Sequence, residues 1–178
     1  MSTNAEADAN ARSGGLTHVG ADGVRMVDVG DKPATARTAV ASGRVRMAAA
    51  TLAILAAGEG PKGDVLTTAQ VAGVQAAKHA WEAIPLAHPV ALTHCSIRLG
   101  LEADAVAIEA TCRTTGPTGV EMEALAAVTG AALTVYDMLK AVDRGMVIEA
   151  VRLERKEGGR SGLWQRPENG SAGFASRS

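Results

Sequence analysis

The residues of this chain with the clearest capacity for chemistry lie in one stretch, TGVEMEALAAVTGAALTVYDMLKAVDRG at 118–145. Four of them recur at intervals of seven residues: Glu123, Gly130, Asp137 and Arg144. On an α-helix this spacing rotates each residue by only about 20° from the one before, so the four form one stripe. Gly130 and several alanines leave space between the charges. A solvated face normally carries longer side chains there, so the pattern predicts a binding surface.

Asp137 and Lys140 are three positions apart, which places them side by side on a helix. As a functional pair, the carboxylate would hold the ammonium group, and either could transfer protons. As a structural pair, they would form a surface salt bridge worth roughly a few tenths of a kcal/mol. The spacing alone leaves both interpretations open.

Two further acids begin the same predicted helix but point in different directions. Thr118 and Glu121 match a capping box, and Glu121 also aligns with the apolar face, so its role is more commonly structural. Glu123 points about 200° away from Glu121, towards the stripe. It is either a favourable acid in the first helical turn or a functional group.

Two candidates lie earlier in the chain. Lys62 lies in a glycine-rich loop, GEGPKG, directly before Asp64, which is a good helix N-cap. Free backbone N–H groups, the helix dipole and this lysine could form a phosphate cradle, although the P-loop spacing is absent and Asp64 competes for the same donors. His88 lies in PLAHP, where stiff neighbours could aim its imidazole, but a lone histidine is more often structural.

Other residues are ambiguous in isolation. Lys78 precedes Glu82 by four positions, as in a solvated ion pair, and Arg37 lies on a predicted strand without local context. Cys95 and Cys112 fall almost opposite each other in a predicted hairpin. Two cysteines cannot supply the four ligands that structural zinc prefers, so we expect free, packed, reduced thiols and no metal site.

The elements that position these residues follow from changes in hydrophobic period. Strands are predicted at 24–29, at 35–47 with an interruption at Gly43, in a hairpin at 93–115 turning near Glu102–Ala105, and at 147–156. Helices are predicted at 48–58 closed by Gly58, from Asp64 to about Glu82, and at 118–145. Two prolines favour extended chain in PLAHPV. This order predicts an α+β, ferredoxin-like antiparallel sheet, βαββαβ with a doubled first crossover helix, and helices on one face.

Composition narrows the functional classes. Aromatic residues are 2% of the 178, so the core must be aliphatic, and we expect further burial in a homo-oligomer. A net charge of −1 offers no basic excess for nucleic acid, and no run of about 18 apolar residues predicts a membrane span. We expect a cytoplasmic protein with one domain at 16–162, a disordered tail at 1–15 and a flexible tail at 163–178.

Several motifs coincide with those of a known family: LTH at 16–18, MVDV at 26–29, KGDVLTTAQVAGVQAAK at 62–78, IPLAHP at 84–89, the stretch at 118–146, and KEGGRSG at 156–162. On these strings the chain resembles the molybdenum cofactor biosynthesis protein C family, the cyclic pyranopterin monophosphate synthases. The resemblance covers residues 16–162. The strings GVEMEAL and YDMLKAVD are its most specific part.

The resemblance implies a ferredoxin-like fold, a hexamer built as a trimer of dimers, and active sites at subunit interfaces. It implies a lyase that converts (8S)-3′,8-cyclo-7,8-dihydroguanosine 5′-triphosphate, a GTP-derived substrate, into cyclic pyranopterin monophosphate and diphosphate. No cofactor is certain. The sequence leaves open whether Mg²⁺ accompanies the triphosphate, where a bound cation would neutralise phosphate charge.

By position, the resemblance implies acid–base roles for Asp137 and Lys140. It implies substrate-binding roles for a larger set: Leu86, Ala87, His88, Met122, Glu123, Lys62, Lys78, Arg37 and Glu121. This inventory suits the reaction, since rearranging a purine into a pterin needs several proton transfers, and expelling diphosphate needs cations around developing negative charge.

The chain also departs from the family pattern. Ala87 stands where the family usually has Cys, Pro117 where Lys is common, and His79-Ala80 where Arg-Thr is more usual. Two alternatives to the enzyme therefore remain. One is a catalytically weak homologue acting as a pterin- or nucleotide-binding oligomer, and the other is a structural oligomeric module.

Overall fold

The computed structural model describes residues 19–20 and 23–167. Its strands, in chain order, are β1 (Val19–Gly20), β2 (Gly23–Val24), β3 (Thr35–Arg46), β4 (His94–Leu101), β5 (Ala105–Gly116), β6 (Val147–Glu157) and β7 (Trp164–Gln165). Its helices are α1 (Ala49–Ala56), α2 (Val65–Lys78), α3 (Ala80–Ala83) and α4 (Glu121–Leu139).

The main sheet has five antiparallel strands in the order β4-β5-β3-β6-β7, and β1 pairs with β2 separately. Leaving out the short edge strand β7, the chain runs β3, helices, β4, β5, α4, β6, which is the βαββαβ arrangement. The first crossover holds α1, α2 and the single-turn α3. The predicted α+β, ferredoxin-like fold is therefore confirmed.

The helices cover one face of the sheet because alternate residues of its central strands are small and apolar. Ala39, Ala41 and Val45 on β3 are fully buried, as are Val106 and Ile108 on β5. The buried residues of α4 are mostly alanine and valine, so the helix backbone lies close to the strands. An aliphatic core was the expectation from composition.

Gly43 does not interrupt β3, contrary to the prediction. The strand continues through it, and the irregularity falls on the β6 side, where the register shifts between Ser42 and Arg44. A Cβ on Gly43 would lie 2.6 Å from Val128 Cγ1 of α4 and 3.2 Å from Val151 Cγ2 of β6. The glycine is therefore required by close packing of the helix on the sheet.

Helices α2 and α4 run antiparallel and touch along the middle of the predicted stripe. A Cβ on Gly130 would lie 2.5 Å from Ala76 Cβ, and one on Gly73 would lie 3.0 Å from Ala127 O. The space at Gly130 is therefore filled by α2. The expectation that the whole stripe is a binding surface is wrong at its centre, which is a helix–helix contact.

Both ends of α4 differ from the prediction. Its N-cap is Val120, which makes no side-chain cap hydrogen bond, so the capping box at Thr118 does not form. Its last residue is Leu139, and the turn that follows is held against α1, where Asp143 accepts hydrogen bonds from Ala48 N at 3.0 Å and from Thr51 Oγ1 at 3.1 Å. Arg144 consequently lies beyond the helix and outside the stripe.

The β4–β5 hairpin is confirmed, with Glu102 N donating to Ala105 O at 2.8 Å in the turn. Cys95 and Cys112 are direct register partners, and both are free thiols, as predicted. Gly58 closes α1 with a positive φ of 72°, and Asp64 caps α2, also as predicted.

Three local predictions need correction. The second helix breaks at His79, whose φ of −113° separates α2 from α3. Of the strand expected at 24–29, only Val24 is paired, in β2. The segment PLAHPV begins with a turn, in which Ala87 N donates to Ile84 O at 3.0 Å, before the chain continues irregularly.

Two features concern the edges of the domain. Residues 1–15 lie outside the described residues, and the C-terminal tail boundary stays a prediction, although β7 adds an edge strand to β6 there. In the described part of the chain, α4 is long and apolar enough to cross a membrane by length and composition. Half of its most apolar stretch is buried inside the fold, as in the core helix of a globular domain.

Candidate active site

Three charged side chains meet where α4 ends and α2 begins; we call Lys62, Asp137 and Lys140 the lysine–aspartate cluster. Asp137 Oδ1 accepts a hydrogen bond from Lys140 Nζ at 2.6 Å, and Oδ2 accepts one from Lys62 Nζ at 2.7 Å. All three side chains are about half exposed, so the pairs themselves stabilise the fold little. Two ammonium groups are thus held together at a surface that an anion can reach.

Local structure explains the position of each lysine. Lys140 is the C-cap of α4, where a cation interacts favourably with the helix dipole. Lys62 lies in a turn closed by Gly63 N donating to Gly60 O at 3.0 Å, and Gly63 has a φ of 89°. Asp64 Oδ1 accepts from Thr67 N at 3.0 Å, so this helix end is capped by its own side chain. Of the expected phosphate cradle, the Lys62 ammonium group is the part best placed to meet an anion.

The two lysines determine the charge of Asp137. Hydrogen bonds from Lys140 first, and then from Lys62, lower its pKa to about 2. Asp137 is therefore ionised throughout the neutral range and is a weak proton acceptor there. Its geometry suits fixing two cations better than exchanging a proton.

A second set of predicted residues lines a pocket at the other end of α4. The pocket lies between the turn after α3, the segment before β3 and the first turn of α4, and its volume is about 310 Å³. Six of the predicted residues line it: Leu86, Ala87, His88, Glu121, Met122 and Glu123. A volume of this order is at the lower end of the range for small-ligand sites.

Glu123 is the most unusual residue of this pocket. It is only 4% exposed, and its pKa is raised by burial first and by the charge of Glu121 second. A carboxyl group in this state releases its proton closer to neutral pH, which suits general acid–base work. The Glu121 carboxylate folds back over the chain, where a Cβ on Gly119 would collide with it.

The sequence interpretation missed half of the pocket. The additional lining residues are Val27, Val29, Lys32, Val90, Thr118 and Gly119. The sequence patterns predict a helix cap at Thr118 and a strand at MVDV, and neither pattern indicates a pocket. Lys32 is exposed in a turn, and no spacing signal marks it. It is the one lysine or arginine among the pocket's described lining residues.

Arg37 and Lys78 stand outside the pocket lining. Arg37 donates from Nε to Gly116 O and from Nη2 to Pro117 O, both at 3.0 Å, so it fixes the backbone that leads into α4. Lys78 is exposed at the end of α2, and Glu82 pairs with His79 at 2.9 Å instead of with Lys78. Because α2 and α4 are antiparallel, Lys78 lies at the pocket end of the helix pair.

The pocket and the lysine–aspartate cluster are far apart within one chain. Fourteen residues separate Glu123 from Asp137 on a continuous helix, which is about 21 Å at 1.5 Å per residue. A single small substrate cannot touch both groups in one protomer. The described residues also contain no group of three His, Cys, Asp or Glu side chains that could hold a metal ion.

Comparison with known proteins adds to this geometry. Residues 26–159 match the model of the MoaC family. This range contains all six predicted pocket residues, all three residues of the cluster, Arg37 and Lys78.

Individual relatives agree closely over most of the chain, and three are named cyclic pyranopterin monophosphate synthase. The chain is 61% identical to the one from Roseiflexus sp. (strain RS-1) over 150 residues, 83% of this chain and 95% of the relative. It is 58% identical to one from Chloroflexus aurantiacus over 155 residues, 85% of this chain and 95% of the relative. It is 52% identical to the one from Novosphingobium aromaticivorans over 154 residues, 86% of this chain and 98% of the relative.

Proposed function

The chain belongs to the MoaC family, and from this premise we propose how it works as a cyclic pyranopterin monophosphate synthase, a lyase of molybdenum cofactor biosynthesis. The observation that carries this function is the 52–61% identity, over most of the chain, to relatives of that name. The substrate we propose is (8S)-3′,8-cyclo-7,8-dihydroguanosine 5′-triphosphate. The products are cyclic pyranopterin monophosphate and diphosphate.

We assign the pocket to the ring system of the substrate. Glu123 is the proton-exchanging group there, because its buried carboxyl has a raised pKa. His88 lines the same pocket and supplies an imidazole ring that can hydrogen-bond the substrate, and Met122 supplies apolar contact. Glu121 lies nearby and keeps the pocket negative, which helps Glu123 to retain its proton. Lys32 adds a cation that the sequence motifs did not indicate.

We assign the lysine–aspartate cluster to the triphosphate. In the cyclising step, a hydroxyl group of the substrate loses its proton to water, and its oxygen attacks the α-phosphorus. The bond from that phosphorus to the bridging oxygen breaks, and diphosphate leaves with the electron pair and takes a proton from Lys140, which regains one from water. Two ammonium groups 2.6–2.7 Å from one carboxylate offset the charge that develops on the leaving oxygens. Asp137 orients both lysines, and Lys140 is the proton donor of the cluster.

These assignments need two protomers. Since the pocket and the cluster lie about 21 Å apart along α4, one complete site takes the pocket from one protomer and the cluster from another. A hexamer arranged as a trimer of dimers, with sites at subunit interfaces, fits this requirement. The aromatic-poor core supports oligomerisation for the separate reason that its side chains each bury little area.

The remaining expectations follow from the same assignment. Mg²⁺ would be held by phosphate oxygens and water, since the described residues contain no three-ligand cluster. We propose a cytoplasmic location, consistent with a biosynthetic enzyme acting on a nucleotide-derived substrate.

The alternative is an oligomer that binds a pterin or nucleotide without turnover. It is favoured by one observation, that Ala87 lines the pocket where the family usually has a cysteine. The assignment of Glu123 to proton exchange makes the thiol dispensable. The alternative therefore predicts binding without products.

A direct assay separates the two proposals. The purified protein is mixed with the cyclic dihydroguanosine triphosphate, and released diphosphate and the oxidised pterin product are followed together. The enzyme yields both products in equal amounts. Calorimetric binding with neither product above background would support the binding oligomer and overturn the enzyme.

A further inference from the structure

The two cysteines of the chain face each other across the β4–β5 hairpin. Cys95 and Cys112 are register partners, and their Sγ atoms are 3.7 Å apart. We propose that they form a reversible redox site, in which a small-molecule disulfide oxidises the two thiols to a cross-strand disulfide bond. This site is independent of the proposed function.

The backbone geometry favours such a bond. Glu102 and Ala105 form a hydrogen-bonded pair in the turn, and the register runs without a shift from there to Cys95 and Cys112. Pairs alternate along an antiparallel ladder, so the cysteines, seven steps away, occupy a non-hydrogen-bonded pair, with Cα atoms about 4.5 Å apart. This separation lies within the range of disulfides, and the sulfurs need to approach by roughly 1.7 Å to reach bonding distance.

The surroundings assign a different role to each sulfur. Cys95 is partly buried, and the hydrogen bond it accepts from the Cys112 thiol lowers its pKa. Cys112 is fully buried, and this contact, then burial, then the charges of Cys95 and of Glu123 raise its pKa. Cys95 is therefore the attacking thiolate and Cys112 the resolving thiol.

The chemistry balances in two exchange steps. The Cys95 thiolate, having lost its proton to water, attacks one sulfur of the oxidant R–S–S–R, which gives a mixed disulfide and R–S⁻. The Cys112 sulfur then attacks Cys95 Sγ, breaks the mixed disulfide, and transfers its own proton to the second R–S⁻. Two thiols are oxidised, one oxidant disulfide is reduced to two R–SH molecules, and an external dithiol reverses the process.

The bond would join β4 to β5 near Glu123 of the pocket. Cys112 is close enough to Glu123 for that carboxylate to affect its pKa, and the bond would join residues 17 positions apart. Closing a loop of this size restricts the unfolded chain, so the oxidised protein should have a Tm higher by roughly 5–10 °C.

Intact-protein mass spectrometry tests the proposal. The reduced, folded protein is incubated with oxidised glutathione, then denatured in the presence of N-ethylmaleimide. Since the chain has only two cysteines, an intramolecular disulfide appears as a loss of two hydrogens with neither a maleimide nor a glutathione adduct. The Tm should rise in the same sample and fall again after treatment with a dithiol.

Two single variants serve as controls. Cys95→Ser should keep one alkylatable thiol and show no Tm rise on oxidation. Cys112→Ala lacks the resolving thiol, so a glutathione adduct should accumulate on Cys95. The proposal is overturned if the wild-type protein retains two alkylatable thiols, keeps a glutathione adduct, or forms disulfide-linked dimers. Because no substrate is used, failure here leaves the enzyme proposal untouched.

Discussion

The two ends of α4 carry the same chemical group in opposite surroundings. At the pocket end, Glu123 is 4% exposed, and burial raises its pKa. At the other end, the Asp137 side chain is 52% exposed, and two lysines lower its pKa to about 2. When environments push the pKa values of two acids apart in this way, the raised one suits proton exchange and the lowered one suits permanent charge. The difference separates a carboxyl group suited to proton exchange from a carboxylate that holds two ammonium groups, along one helix.

The middle of the helix explains why the ends stay separate. Gly130 and Ala127 are in close contact with α2, so α4 is a rigid spacer of fixed length between the pocket and the cluster. The burial that stabilises this contact leaves no room for substrate there. We therefore expect that the pocket and the cluster are both needed for turnover, and that the pocket of one protomer acts with the cluster of another.

The largest expected effect comes from the exposed end. Lys140→Ala should lower kcat by about 10²–10⁴-fold, because it removes the proposed proton donor and half of the charge offered to the leaving group. The Tm should fall only slightly and the oligomeric state should not change, since the lysine is half exposed. The measurement is diphosphate release in steady state.

Arg46→Ala is the matched control for this variant. Arg46 is 49% exposed and pairs with Glu149 at 3.4 Å, so the change also removes one surface ion pair. Its kcat should equal that of the wild type. Equal activity of Lys140→Ala and Arg46→Ala would show that the lysine–aspartate cluster takes no part in catalysis.

The second prediction tests whether the two ends belong to different protomers. Lys140→Ala and His88→Ala should each have only a small residual activity alone. If they are unfolded and refolded together in equal amounts, about one quarter of the interface sites would combine an intact pocket with an intact cluster. Activity should return to about that fraction of wild type. Mixed oligomers with no recovered activity would mean that both ends act within one protomer.

Sequence patterns predicted the fold better than the site. The βαββαβ order, the hairpin register and the Asp64 cap follow from local periodicity and turn chemistry, and all are present. The role of Gly130 in helix packing does not follow from these patterns. A seven-residue repeat shows which face of a helix a residue occupies, but not what covers that face. Lys32 was missed for a related reason: it joins the pocket through tertiary contact between segments distant in sequence.

The third prediction tests the assignment of Gly130 to helix packing. Gly130→Ala would place a Cβ 2.5 Å from Ala76 Cβ, which should cost about 1–3 kcal/mol of stability by overpacking. Higher helix propensity offsets up to about 1 kcal/mol of this. Urea unfolding should therefore show a net loss of up to about 2 kcal/mol, and no gain in stability. A variant with unchanged stability and a raised KM would show that Gly130 belongs to the substrate-binding surface and not to the helix contact.

The smallest expected effect concerns the pH dependence of stability, where the two acids should differ in sign. The pKa of Glu123 is raised above its ordinary value of 4.5, so the folded state holds a proton that the unfolded state has released. Stability is therefore lost as pH rises from 4.5 through the raised value. Glu123→Gln removes this loss, and should raise the Tm relative to wild type only above that window, while lowering kcat.

Asp137→Asn should behave in the opposite sense. The pKa of Asp137 falls from 3.8 to about 2, so its contribution is present above pH 3.8 and is lost as pH falls towards 2. The variant should be slightly less stable than wild type at neutral pH and equal to it in strong acid. Tm measured across pH for both variants checks the pair. Parallel curves would mean that burial and the lysines do not set these two pKa values apart, and the division of roles along α4 would lose its physical basis.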